Sequence, residues 1–134
     1  MRPCRSWRLF AAANRRDANH DTVRRTLERL VAERRPLLTT NFILAKTHAL
    51  LLTRVGREAA ARVLFEIDRS PLTTTVRVTE VDEARAREVI VNFTDKPFSL
   101  TDALSFVVME RLGIHGALTH DRNFAQYGFA TDLA

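Results

Sequence analysis

Two aspartates stand out by type and spacing. Asp102 lies in Phe98-Ser99-Leu100-Thr101-Asp102-Ala103, and Asp121 follows in Thr119-His120-Asp121-Arg122-Asn123-Phe124. Carboxylates are hard oxygen ligands. Two of them converging from a helix start and a strand end can share a divalent cation that activates water against a phosphodiester. Taken singly, each has a plainer reading: Asp102 complements the positive end of a helix dipole, and Asp121 opens a turn. The chemistry needs both carboxylates together, so the elements that carry them decide.

Short apolar strands alternate with amphipathic helices, with no internal repeat and no low-complexity tract, which predicts an α/β domain on a parallel sheet. Residues 7–13 read as the start of a helix, and residues 20–33 as a second helix with Val23, Leu27, Leu30 and Val31 on one side. Pro36 breaks it and residues 37–40 read as a strand. Helices are expected over 42–54, ended by Gly56, and over 57–68, closed by Ser70-Pro71. The β-branched run 73–79 is a strand. Helices follow over 80–91 and 100–112, the latter with Ser99 as N-cap and Gly113 as its stop. Strands are expected at 117–120 and 129–133. Asp102 then sits in the first turn of a helix and Asp121 just past a strand, at the edge where parallel sheets gather ligands.

With 134 residues, 46% of them apolar, and only 4 Gly and 4 Pro, the chain suits one compact domain over residues 1–134. Cys4 is the single cysteine, which excludes an internal disulfide and fits a reducing cytoplasm. No stretch approaches the roughly 18 apolar residues of a membrane span, and the opening run is too interrupted for a secretory signal. The net charge of +5 and pI near 10.6 favour a polyanionic partner. Nearly all of that excess is Arg, with Lys46 and Lys96 the only lysines, a bias that genomic base composition alone could produce.

Four stretches in combination resemble the PIN-domain family, and within it the VapC-like ribonuclease toxins. They are Thr39-Thr40-Asn41-Phe42-Ile43-Leu44-Ala45, Asp95-Lys96-Pro97-Phe98-Ser99-Leu100-Thr101-Asp102-Ala103, Met109-Glu110-Arg111-Leu112-Gly113-Ile114, and Thr119-His120-Asp121-Arg122-Asn123-Phe124 with Gly128-Phe129 behind it. The resemblance covers the chain from about Phe10 onward. It implies a three-layer α/β/α domain that cuts RNA with magnesium or manganese held by a cluster of acidic residues. Asp102 and Asp121 fall on the third and fourth of these acids, as metal ligands. Thr101 falls where a small polar residue helps order the site. The implied partners are RNA, a cognate antitoxin inserted over the acidic groove, and a second copy in a homodimer.

Two departures qualify the resemblance. Family members open with an apolar strand running into Asp-Thr-Ser, whereas backward alignment places Arg5 in the Asp slot, behind Met1-Arg2-Pro3-Cys4. A charge and a proline there oppose a central strand covered on both faces, so the first strand is expected to be short or disrupted, as by an altered start. The second departure is Lys46, which stands where the family has a Glu. A salt bridge from Lys46 to Asp102 or Asp121 would compete with the metal, with a Coulomb term of roughly 4 kcal/mol at 4 Å and a dielectric near 20. The cation is therefore expected to bind weakly and the activity to be impaired. The alternative is an inactive PIN domain that serves as a protein- or RNA-binding module, or a decaying toxin.

Other residues carry blander readings. The four histidines lack metal-ligand spacing. Arg122 and Asn123 contact phosphate or form a solvated turn. Leu104, Val107 and Val108 belong to the core, and Trp7 and Tyr127 pack rather than stack on bases.

Overall fold

The computed structural model describes residues 7–11, 25, 28, 29, 32, 34, 36–119 and 122–132. Five strands form one sheet: β1 (Arg8–Phe10), β2 (Leu37–Thr40), β3 (Thr73–Val76), β4 (Gly116–Leu118) and β5 (Ala130–Asp132). Their order is β3-β2-β1-β4-β5 and every pairing is parallel. The well-described helices are α1 (Asn41–Arg54), α2 (Arg57–Arg69), α3 (Glu80–Asn92), α4 (Leu100–Leu112) and α5 (Arg122–Tyr127). Of the helix expected over 20–33, Arg25, Glu28, Arg29 and Ala32 are helical and the rest lies outside the described residues.

Alternation along the strands builds three layers. Side chains point to opposite faces at successive positions. Leu9, Leu38 and Ala117 therefore share one face, where they pack with Phe106 and Met109 of α4 and Phe124 of α5. Phe10, Leu37 and Leu118 share the other face, packed with Leu51 of α1 and Ala60, Val63 and Ile67 of α2. The result is the expected α/β/α sandwich. No helix among the described residues is long and apolar enough to cross a membrane.

The first strand corrects the sequence reading. Residues 7–13 carry a helix-like pattern, yet Arg8–Phe10 pairs with β2 on one edge and β4 on the other. Without it those two edges would each leave unpaired backbone groups inside the protein, a cost that outweighs local helix propensity. Leu9 and Phe10 supply the two successive apolar residues that a strand covered on both faces requires, and both are buried. The strand is short, as expected. Arg8 is tolerated at its start because its neighbour on β4 is Gly116: a Cβ there would lie 2.6 Å from Arg8 Nε. The Arg8 side chain runs across that gap and its NH1 donates to the Trp7 carbonyl at 3.2 Å.

The expected strand over 73–79 ends at Val76, because the Val78 N–H leaves the ladder and donates to Asn41 Oδ1 at 3.0 Å. Two capping boxes then start the next helices. Thr79 and Asp82 exchange bonds across the first turn of α3, and Ser99 and Asp102 across that of α4. Gly113 ends α4 at φ 71°, in the left-handed region. Every residue of α4 from Asp102 to Met109 is buried, including Leu104, Val107 and Val108. Around its Phe106, Phe98, Phe124, Tyr127 and Phe129 form an aromatic cluster, in which Tyr127 stacks on Phe106 with centroids 4.4 Å apart. Tyr127 and Trp7 are thus packing residues, as read from the sequence.

Candidate active-site cleft

Strand ends and helix starts meet at the carboxyl edge of the sheet. Ala11 follows β1 there, and Thr40 ends β2 and caps α1 by accepting from the Ile43 N–H at 3.1 Å. Thr39 Oγ1 donates to the Phe10 carbonyl at 3.1 Å, which ties β2 to the end of the central strand. Between these ends and α4 lies a small cleft. Ala11 and three α1 residues, Ile43, Lys46 and Thr47, line one side of it. Thr101, Asp102 and Ser105 of α4, with Phe124, line the other. Its free space, about 10 Å³, is that of a single water.

Asp102 is the acid of this cleft. Its residue is only 4% exposed, yet the side chain is anchored rather than stranded. Oδ2 accepts from the Ser99 N–H at 3.1 Å, closing the capping box, and from Asn123 Nδ2 at 2.9 Å. Both donors converge on one oxygen. Among the described residues Oδ1 accepts no hydrogen bond, so one oxygen positions the carboxylate and the other is left for a ligand. Thr101 lines the cleft beside it, and its carbonyl accepts from Ser105 Oγ at 2.9 Å.

Lys46 lines the same cleft as Asp102, and of its two expected partners only Asp102 is among the described residues. No ion pair joins Lys46 to Asp102 among the described residues. The half-buried ammonium stem comes from α1 and the carboxylate from α4, with the narrow cleft between them. Asp121 and Arg5 lie outside the described residues. The residue that leaves the central strand Arg8–Phe10 is the buried Ala11.

The described lining does not fit a divalent cation held by a carboxylate cluster. It offers one carboxylate, three hydroxyl side chains, an ammonium and a buried alanine. Among the described residues no three His, Cys, Asp or Glu side chains gather to hold a metal.

Sequence reasoning missed two contributors. The sequence reads Asn123 as a phosphate contact or a solvated turn, whereas it stands in the first turn of the short α5 and holds Asp102. An Asn two positions after a candidate ligand Asp was the available signal. Ala11 carried none.

Away from the cleft, α3 is clamped to α4 by Asp82, 1% exposed at its side chain, and Arg111 of the last α4 turn. Arg111 Nε and NH2 donate to Asp82 Oδ1 and Oδ2 at 2.9 and 2.8 Å. Burial pushes the Asp82 carboxyl up, but the Arg111 bonds and charge, with the Thr79 bonds, hold it below the usual carboxylate range.

Comparison with known proteins agrees with this architecture. The chain matches the PIN domain over residues 9–130. It is 36% identical over 123 residues to the 23S rRNA-specific endonuclease VapC20 of Mycobacterium tuberculosis, in strain CDC 1551 / Oshkosh and in strain ATCC 25618 / H37Rv; the match spans 89% of this chain and 88% of that protein. The crystal structure of Mycobacterium tuberculosis VapC20, a sarcin-ricin loop cleaving toxin, aligns with a TM-score of 0.70 at 35% identity, over 77% of this chain and 79% of that one.

Proposed function

From the premise that this chain belongs to the PIN-domain family, we propose that it acts on RNA as a VapC-type endoribonuclease, with hydrolysis weakened by its own cleft. One observation supports this reading above the others: a buried carboxylate at the carboxyl edge of a parallel sheet, pinned through Oδ2 and open at Oδ1. Such an oxygen, beside space for one water, can orient that water and accept its proton. Asp102 is the site carboxylate in this proposal, Thr101 orders the cleft beside it, and Asp121 is the second acid. Magnesium or manganese is the cation, weakly held, because Lys46 and Ala11 stand on the facing wall. The basic charge favours binding of the RNA backbone. A cognate antitoxin, a second copy of the chain and a cytoplasmic setting complete the toxin-like reading.

The substrate to test first is the one named for the relative, the sarcin-ricin loop of 23S rRNA. An RNA oligonucleotide carrying that loop is incubated with the protein in magnesium, in manganese and in EDTA, with binding followed by anisotropy and cleavage by gel. The expected result is clear binding with slow cleavage, the cleavage lost in Asp102→Asn. Rapid cleavage overturns the weakened site, and absence of binding overturns the RNA reading altogether. Lys46 and Ala11 favour a second reading, an RNA-binding PIN domain that does not cut. Binding with no cleavage in any metal would select it.

A further inference from the structure

We propose that the Lys46 ammonium is the resident cation of this cleft, serving where a divalent ion would otherwise be held, so that the chain keeps its buried carboxylate in place without a metal. The inference rests on the cleft being the family's active site. Three observations carry it. Asp102 is 4% exposed and its Oδ1 accepts no hydrogen bond among the described residues, so its charge needs a compensating cation. Lys46 lines the same cleft, half-buried, and forms no hydrogen bond or ion pair among the described residues. The space between the two walls is that of one water.

On this proposal carboxylate and ammonium, which line one cleft, form a water-separated pair. In a narrow, partly buried cleft the attraction is screened less than in bulk solvent, and a bridging water would keep both groups hydrogen-bonded. All other side chains that line the cleft are neutral, so among the described lining residues Lys46 is the one positive charge. A magnesium or manganese ion would have to enter against that ammonium. Being tethered to α1, the ammonium also competes at a high effective concentration.

Thermal unfolding of the full chain tests this directly. Wild type, Lys46→Met and Lys46→Glu are melted in EDTA and in excess MgCl2 or MnCl2, and manganese binding is measured separately by the loss of the free-ion paramagnetic resonance signal. Wild type should melt within about 1 °C of the same temperature in all three buffers and bind manganese far more weakly than Lys46→Glu. Lys46→Glu should melt lower in EDTA and recover by about 5 °C in saturating manganese, as expected for a ligand bound only by the folded state. Lys46→Met should also melt lower in EDTA, with a smaller recovery, since it removes the cation without adding a ligand. If Lys46→Glu fails to fold, Lys46→Met and the wild-type titration decide. Wild type stabilised by manganese as much as Lys46→Glu, or substituted proteins indifferent to it, would overturn the inference. RNA binding fails independently: a wild type that binds no RNA yet shows these melts keeps its resident cation and loses the nuclease reading. RNA binding by a wild type that manganese stabilises as much as Lys46→Glu does the reverse.

Discussion

The two walls of the cleft are packed to the same standard and armed very differently. On the α4 side, a capping box, an asparagine and an aromatic cluster hold one carboxylate in place. On the β1 and α1 side, Leu9 of β1 is fully buried, yet the residues that reach the cleft are Ala11 and Lys46. A strand needs apolar residues in its interior to hold the sheet, while the residue just past its end is free to carry charge or none. Packing and chemistry are thus written at adjacent but separate positions. A chain can keep the first while the second changes.

The sharpest way to break this comparison is to attack the packing on the unarmed side. Leu9 is fully buried between two strands and beneath Phe106 and Phe124 of the α4 face. Leu9→Ala should cost about 3 kcal/mol, the transfer free energy plus an unfilled cavity. Urea unfolding measures it. A cost below about 1 kcal/mol would mean that the central strand is expendable, and that residues 7–13 carry the fold in another form.

A smaller loss is expected at the other end of α4, away from the cleft. Asp82→Ala leaves Arg111 without its partner and removes the α3 capping box, while Arg111, 37% exposed at its side chain, can turn to solvent and soften the loss. About 2 kcal/mol is expected. The pH dependence has a fixed sign. Because the folded carboxyl is depressed, its contribution is present above the unfolded pKa of about 3.9 and is lost as pH falls through the folded value. Wild type should therefore lose stability more steeply than Asp82→Ala on acidification below pH about 4. Parallel slopes would show that the clamp does not depend on charge.

What the sequence made legible follows the same division. Helix α4 was readable because its signals are local: Ser99 before it, Gly113 after it and an apolar run between. Asp102 and Thr101 were readable through the motif around them. Strand β1 was not, since Leu9-Phe10 followed by alanines suits a helix as well, and only the open edges of β2 and β4, distant in the chain, decide the matter. The same non-locality hid the Asn123 bond to Asp102 and the position of Ala11. Lys46 is legible as a departure from the family pattern, but whether it meets Asp102 is set by the packing of α1 against α4, which no local signal carries.

The finest probe of the comparison is the Asn123 bond itself, the feature that the α4 wall has and the facing wall lacks. Asn123 Nδ2 donates to a carboxylate oxygen that already accepts from the Ser99 N–H, so Asn123→Ala removes one of two anchors and leaves the capping box. A hydrogen bond to a charged, largely buried acceptor contributes about 1 to 2 kcal/mol, and the remaining anchor places the loss near about 1. A double-mutant cycle of Asn123→Ala with Asp102→Asn isolates the pair from the packing of α5. The coupling should be about 1 kcal/mol by urea unfolding, because Asn123→Ala should cost little once the carboxylate has gone. Coupling indistinguishable from zero would mean that Asp102 is held by the capping box alone. The α4 wall would then differ from its neighbour only in bearing the acid, and not in anchoring it.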